Sequence, residues 1–171
     1  EVSDQLSPDH ELLLQSAVLQ PGERVPDGVI VEAVAIPWHR IIEELIRNPS
    51  FMHELDWRKW EEIVAGGYRE AGFDVILTPR SGDRGRDVIA TRTDVVQVRV
   101  VDEVKAYSPG QRVPAKDIRA LLGVLAADPG VTKGVVTTTA SFAPRIFDDP
   151  LIRAFLPNRL ELRDGPQLRE W

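Results

Sequence analysis

Residues 95–105 read Val-Val-Gln-Val-Arg-Val-Val-Asp-Glu-Val-Lys. β-branched side chains are stiff at χ1 and fit a pleated strand better than a helix. The run is therefore a long strand, and whatever fold the chain adopts must build a sheet around it. Side chains alternate faces along a strand. Val96, Val98, Val100 and Val104 fall on one face. Gln97, Arg99, Glu103 and Lys105 fall on the other, with Val95 and Val101. The first face needs an apolar cover. The second gathers polar groups that need water, partners or a metal.

Just upstream, Gly85-Arg86-Asp87-Val88-Ile89-Ala90 puts an acid at the mouth of another β-branched strand. Asp87 to Thr91 and Val95 to Lys105 form a hairpin across Arg92-Thr93-Asp94. Asp87 then stands beside the strand that presents Glu103 and Lys105 on one face. Two carboxylates can hold a hard divalent cation, and an adjacent ammonium can orient or deprotonate a water. That chemistry suits cutting a phosphodiester.

The remaining pattern supplies the layers. Leu12 to Leu19 is a short apolar stretch, helix or strand, and Pro21 to Gly28 is a turn cluster. Val29 to Ile36 is a strand ended by Pro37. Trp38 to Arg47 has helical spacing, stopped by Asn48-Pro49. A core helix runs from Trp57 to Ala71, with Asp56 as N-cap and Gly72 closing it. Trp57, Trp60, Ile63, Val64, Tyr68 and Ala71 share its apolar face. Glu61 lies at the flank of that face, and Glu62 nearly opposite it. Phe73 to Thr78 is a strand, Pro114 to Ala127 a helix, and Lys133 to Thr138 a strand. Ser141 to Phe155 holds short helical pieces. Arg159 to Leu162 is a last strand, and Asp164-Gly165 opens a short helix.

The chain is long enough, at 171 residues and 43% hydrophobic, for one domain with a sizeable core. It has no apolar run of about eighteen residues, so no membrane span is expected. It contains no cysteine, which excludes disulfides and thiolate metal sites. His10, His39 and His53 show no zinc spacing. Nothing resembles a secretory signal, and a cytoplasmic protein is the expectation. The net charge of −6 argues superficially against nucleic acid. Its distribution says otherwise: residues 1–56 carry three basic groups against eleven acids, while residues 79–119 carry nine against six. The basic excess surrounds Asp87, Glu103 and Lys105.

These pieces resemble the PD-(D/E)xK nuclease superfamily, and within it the Mrr-like restriction endonuclease domain. The likeness runs from Trp60-Glu61-Glu62-Ile63-Val64 through Ala71-Gly72-Phe73-Asp74-Val75 and Gly82-Asp83-Arg84-Gly85-Arg86-Asp87. It continues through Glu103-Val104-Lys105, Lys133-Gly134-Val135-Val136-Thr137-Thr138 and Leu160-Glu161-Leu162-Arg163-Asp164-Gly165. The implied fold is α/β, an αβββαβ core with a mixed central sheet flanked by helices. Residues 55–171 form the nuclease domain, and residues 1–54 an N-terminal extension packed on it. The implied activity is metal-dependent hydrolysis of DNA. Asp87, Glu103 and the Val104 carbonyl would bind Mg²⁺, with Mn²⁺ as substitute. Lys105 would assist hydrolysis, and Glu61 would support the metal shell.

Arg80, Arg84, Arg86, Arg112 and Lys116 are the candidate DNA contacts. Thr137-Thr138-Thr139 would either bind phosphate or form a turn, and Tyr107 would pack against substrate or core. The chain is acidic where family members are commonly basic, and it shows no helix-turn-helix. Target selection then falls to a partner subunit, a missing region or the first fifty residues, and Trp38 to Met52 would be an interface helix for a homodimer or a partner protein. Two other readings stand beside the DNase: a catalytically weak nucleic-acid-binding or scaffold module of the same fold, and an RNase or junction resolvase.

Overall fold

Valine-rich strands need cover on both faces, and the chain supplies it with helices before and after them. The computed structural model describes residues 8–79 and 86–171. In chain order the elements begin α1 (Pro8–Gln15), β1 (Leu19–Val25), β2 (Gly28–Val34) and α2 (Ile36–Arg47). A 3-10 turn at Pro49–His53 leads to α3 (Trp57–Glu70), β3 (Asp74–Leu77), β4 (Val88–Thr93) and β5 (Gln97–Lys105). Then come β6 (Arg112–Val113), α4 (Ala115–Ala127), β7 (Lys133–Thr138) and β8 (Ser141–Phe142). A second 3-10 turn precedes α5 (Pro150–Arg153), β9 (Leu160–Arg163) and α6 (Gly165–Glu170).

Seven strands make one sheet in the order β1-β2-β3-β4-β5-β7-β9. Pairing is antiparallel from β1 to β5 and parallel from β5 through β7 to β9. The segment α3-β3-β4-β5-α4-β7 is the expected αβββαβ core. The first fifty residues add β1 and β2 to the same sheet, with Val29 opposite Leu77 and Ile30 opposite Ile76. No described helix is long and apolar enough to cross a membrane.

The strand β5 divides the core in two. Val100 and Val104 pack with Trp60, Ile63 and Val64 of α3. Val101 packs on the opposite face with Ile118, Leu121 and Leu125 of α4. Helix α3 starts where Asp56 accepts the Lys59 N–H at 2.7 Å, and Gly72 follows it at φ +88°. Its interior Gly66-Gly67 pair has a packing cause. A Cβ at Gly67 would lie 2.6 Å from the Trp171 ring, and one at Gly66 would strike the Trp38 indole. Two tryptophans from distant parts of the chain thus lie directly on this helix's backbone.

Four sequence expectations change. The turn over residues 21–28 shrinks to Pro26-Asp27, because Pro21 to Val25 belong to β1. Proline is tolerated on an edge strand, and the pairing register shifts on both sides of Pro21. Pro37 does not end a strand but enters the first turn of α2, where its missing N–H costs nothing. The hairpin loop is Asp94-Val95-Val96, closed by Thr93 opposite Gln97, so Val95 is almost wholly exposed. Trp57 and Ala71 lie at the two ends of α3 and are exposed, since the sheet covers only its middle turns.

Candidate active site

Register places the acids. Val88 pairs with Asp102, so Asp87, one residue earlier, enters the sheet beside Glu103. The Asp87 N–H donates to the Asp102 carbonyl at 3.1 Å. The Asp87 carboxylate accepts the Val104 N–H at 2.7 Å, taking the place of a backbone acceptor where β4 has not yet begun. In an antiparallel ladder a residue's N–H and C=O face the same neighbour. The Val104 carbonyl therefore emerges on the edge that carries the Asp87 carboxylate.

Lys105 lies on the same face of β5 as Glu103, its ammonium 2.6 Å from the Glu103 carboxylate. Burial pushes the Lys105 pKa down, but the hydrogen bond and charge of Glu103, backed by Asp117 and Asp87, hold it above the usual value. Asp117, in the first turn of α4, accepts the Tyr107 hydroxyl at 3.1 Å. Burial and Asp117 push that hydroxyl's pKa up. Tyr107 is thus tied to the site's own wall.

A second chain of contacts reaches Asp87 from α3. Arg58 pairs with the buried Glu61 and also donates to the Thr78 carbonyl at 3.1 Å. The Thr78 N–H donates to the Asp87 carbonyl at 3.0 Å, and its hydroxyl lies between the Arg86 and Asp87 carbonyls at 2.5 and 3.1 Å. Glu61 therefore connects to the backbone of Asp87 through Arg58 and Thr78.

A metal at this place would meet oxygen donors only. Among the described residues there is no group of three or more His, Cys, Asp or Glu disposed around a common point. Asp87, Glu103 and the Val104 carbonyl suit a small hard cation that keeps several waters and a substrate oxygen, as Mg²⁺ does.

Comparison with known proteins gives the family. Residues 52–171 match the model of the Mrr_cat family, restriction endonucleases. The chain belongs to that family. An uncharacterized protein of Sinorhizobium fredii, y4cE, is 29% identical over 107 residues, which is 61% of this chain and 27% of the relative. The structure of a protein of unknown function, AF1548, shares the fold at a TM-score of 0.50 and 16% identity, covering 64% of this chain and 58% of its own. Two restriction endonucleases are also similar. One is MspJI in complex with a 27-mer oligonucleotide, at TM-score 0.44 and 21% identity over 77% of this chain and 29% of its own. The other is the DNA modification-dependent AspBHI, at 0.46 and 15% over 96% and 35%. The chain spans about a quarter of the curated relative's length and only part of each solved chain.

In this Mrr_cat domain β4 and β5 bring Asp87, Glu103, Val104 and Lys105 together, while Glu61 sits on the α3 side of the sheet. Arg112 on β6 and Lys116 in the first turn of α4 are exposed. They lie in the segment that follows Lys105. Arg86 is turned toward Asp128 at 3.2 Å. Arg80 and Arg84 lie outside the described residues. The three threonines are buried and turn inward, to Asp102, to the Lys105 carbonyl and to Tyr107, and Thr137 and Thr138 belong to β7 itself.

Sequence reasoning passed over Asp102, which is 0% exposed on the valine face of β5. A carboxylate interrupting Val98, Val100 and Val104 is the signal that would have found it. Tyr68 and Thr137 donate to its Oδ2 at 2.9 and 3.0 Å, and Arg163 stands 3.7 Å away. Burial pushes its pKa up to about 7, against the pull of Arg163 and the two hydroxyls.

Proposed function

We propose that this domain is a metal-dependent endonuclease that hydrolyses DNA phosphodiester bonds in the bacterial cytoplasm, in restriction, defence or DNA processing. The observation that carries the reading is the junction of β4 and β5. There Asp87 holds the Val104 N–H at 2.7 Å, and Glu103 holds the Lys105 ammonium at 2.6 Å. An acid pair beside a cation is what phosphodiester hydrolysis needs: an anionic pocket for a metal, and a positive charge for the developing negative charge on the phosphate.

Asp87, Glu103 and the Val104 carbonyl would hold Mg²⁺, or Mn²⁺ in its place. When bound, the ion would lower the pKa of a water and neutralise charge on the scissile phosphate. Lys105, kept protonated by Glu103, Asp117 and Asp87, contributes charge and a hydrogen bond to the attacked phosphate. Its raised pKa favours this role over that of a neutral base. Glu61 supports the site by fixing Arg58 and, through Thr78, the start of β4. Arg112 and Lys116 provide exposed charge for the DNA backbone. Arg80 and Arg84, which precede Asp87 in the sequence, join them in this reading, whereas Arg86 is engaged by Asp128. Cutting both strands calls for two such centres, supplied by a homodimer or by a partner protein.

The test is cleavage of supercoiled and linear duplex DNA by purified protein with Mg²⁺, Mn²⁺ or EDTA, beside Asp87→Ala and Lys105→Ala. Metal-dependent cutting that both substitutions abolish is the expected result. Cutting that survives both would place the chemistry elsewhere. Absence of both cutting and metal binding would favour a binding or scaffold module.

A further inference from the structure

The face of β5 turned toward α3 carries Val98, Val100 and Val104, and Asp102 sits in the middle of that apolar row. Its side chain meets groups from three other elements. Tyr68 of α3 and Thr137 of β7 donate to one carboxylate oxygen, and the Arg163 guanidinium of β9 faces it. Arg163 is held in turn by Glu161 at 3.0 Å and by the Trp171 ring, 4.1 Å from its centroid.

The arrangement is costly. The second oxygen of Asp102 and Nη1 of Arg163 are buried without a hydrogen-bond partner. Buried ion pairs are often no more stable than apolar side chains of the same volume, and their best-attested use is to fix a register. One buried face normally fixes register, but β5 buries valines on both faces, so the valines alone distinguish its registers less sharply. A slip of one residue would turn Glu103 and Lys105 away from the site. A slip of two would carry them about 6.6 Å along β5. Either slip removes the Asp102 carboxylate from Tyr68, Thr137 and Arg163. The same residue also receives the Asp87 N–H through its carbonyl, so one position bears on both catalytic acids.

We propose that Asp102 is a positioning residue, and that its buried contacts with Tyr68, Thr137 and Arg163 lock the register of β5 so that Glu103 and Lys105 stand beside Asp87. The proposal rests on the nuclease reading for its purpose but not for its test. The Val104 amide, hydrogen-bonded to the Asp87 carboxylate, reports the register directly.

The experiment compares wild type, Asp102→Asn, and the apolar pair Asp102→Leu with Arg163→Met. It measures amide hydrogen exchange at Val104 by NMR, Mn²⁺ affinity by calorimetry, and Tm. The apolar pair is expected to stay folded with a lowered Tm, because Tyr68 and Thr137 lose their acceptor, while Val104 exchanges at least tenfold faster and Mn²⁺ binds at least tenfold more weakly. Asp102→Asn, which keeps an acceptor for Tyr68 and Thr137, should restore most of both. Val104 protection within twofold of wild type in a folded apolar pair overturns the lock. Should that pair not fold, Tyr68→Phe with Thr137→Val removes the two hydroxyls at nearly constant volume and is read by the same criteria. Where wild type binds no Mn²⁺, the metal-site reading fails while Val104 exchange still decides the register.

Discussion

The Lys105 ammonium lies 2.6 Å from the Glu103 carboxylate, two residues away on the same face of β5. Glu103, Asp117 and Asp87 keep it charged despite partial burial. Lys105→Ala should lower DNA cleavage by about 10²–10⁴-fold, the range for losing a positioned catalytic group. Mn²⁺ affinity should hold or rise, because a cation competing for Glu103 is gone. Calorimetry beside the cleavage assay separates the two effects, and a parallel loss of metal binding would assign Lys105 to organising the acids instead.

Asp87 has a structural duty as well as a chemical one. Truncating it leaves the Val104 N–H without its acceptor, and an orphaned buried donor costs about 1–3 kcal/mol. Asp87→Ala should therefore be less stable than Asp87→Asn by about that amount, while both lose metal binding. Urea denaturation of the two variants checks the difference.

Stability should depend on pH through Asp102. Its pKa rises from 3.8 to about 7 on folding, so between those values the folded chain keeps a proton that the unfolded chain has released. The stabilisation is complete below the lower value and is lost as pH rises through about 7. Asp102→Asn carries no such proton. The wild-type urea midpoint should fall relative to the variant's as pH goes from 5 to 8, and a constant gap would mean that Asp102 is ionised throughout.

Gly67→Ala should destabilise the domain even though alanine is the better helix former by about 1 kcal/mol. The added methyl would meet the Trp171 ring and push it off Arg163 and Tyr68. A net loss of about 1–2 kcal/mol is expected from overpacking, with a changed near-ultraviolet dichroism signal. A stabilised variant would show that Trp171 moves aside freely.

Arg112→Ala and Lys116→Ala should weaken DNA binding evenly across sequences and reduce the salt dependence by about one unit each. Arg86→Ala should act chiefly on stability, because its guanidinium already engages Asp128. Fluorescence anisotropy over a salt series distinguishes the two classes.

The core elements were legible because each carries a single strong period: helical spacing in α3 and α4, dense β-branching in β5 and β7. The shared face of Glu103 and Lys105 was legible for the same reason, since strand alternation alone puts them there. The strand β1 was not, because Pro21-Gly22 reads locally as a turn and becomes strand only through pairing with β2. Asp102 was hidden by its neighbour. Read beside Glu103 it looks like part of an acidic motif, and its burial depends on Tyr68, Thr137 and Arg163, all more than thirty residues away. Asp117 was equally silent, since only the packing of α4 brings it near Lys105.

The stacking of Trp171 on Arg163 gives the molecule an optical gauge of its own interior. The indole is half exposed, yet its partner guanidinium faces the buried Asp102. An event that displaces Arg163 from that cluster changes the surroundings of this ring. In a chain whose other three tryptophans are replaced, the emission of Trp171 follows the inner face of β5.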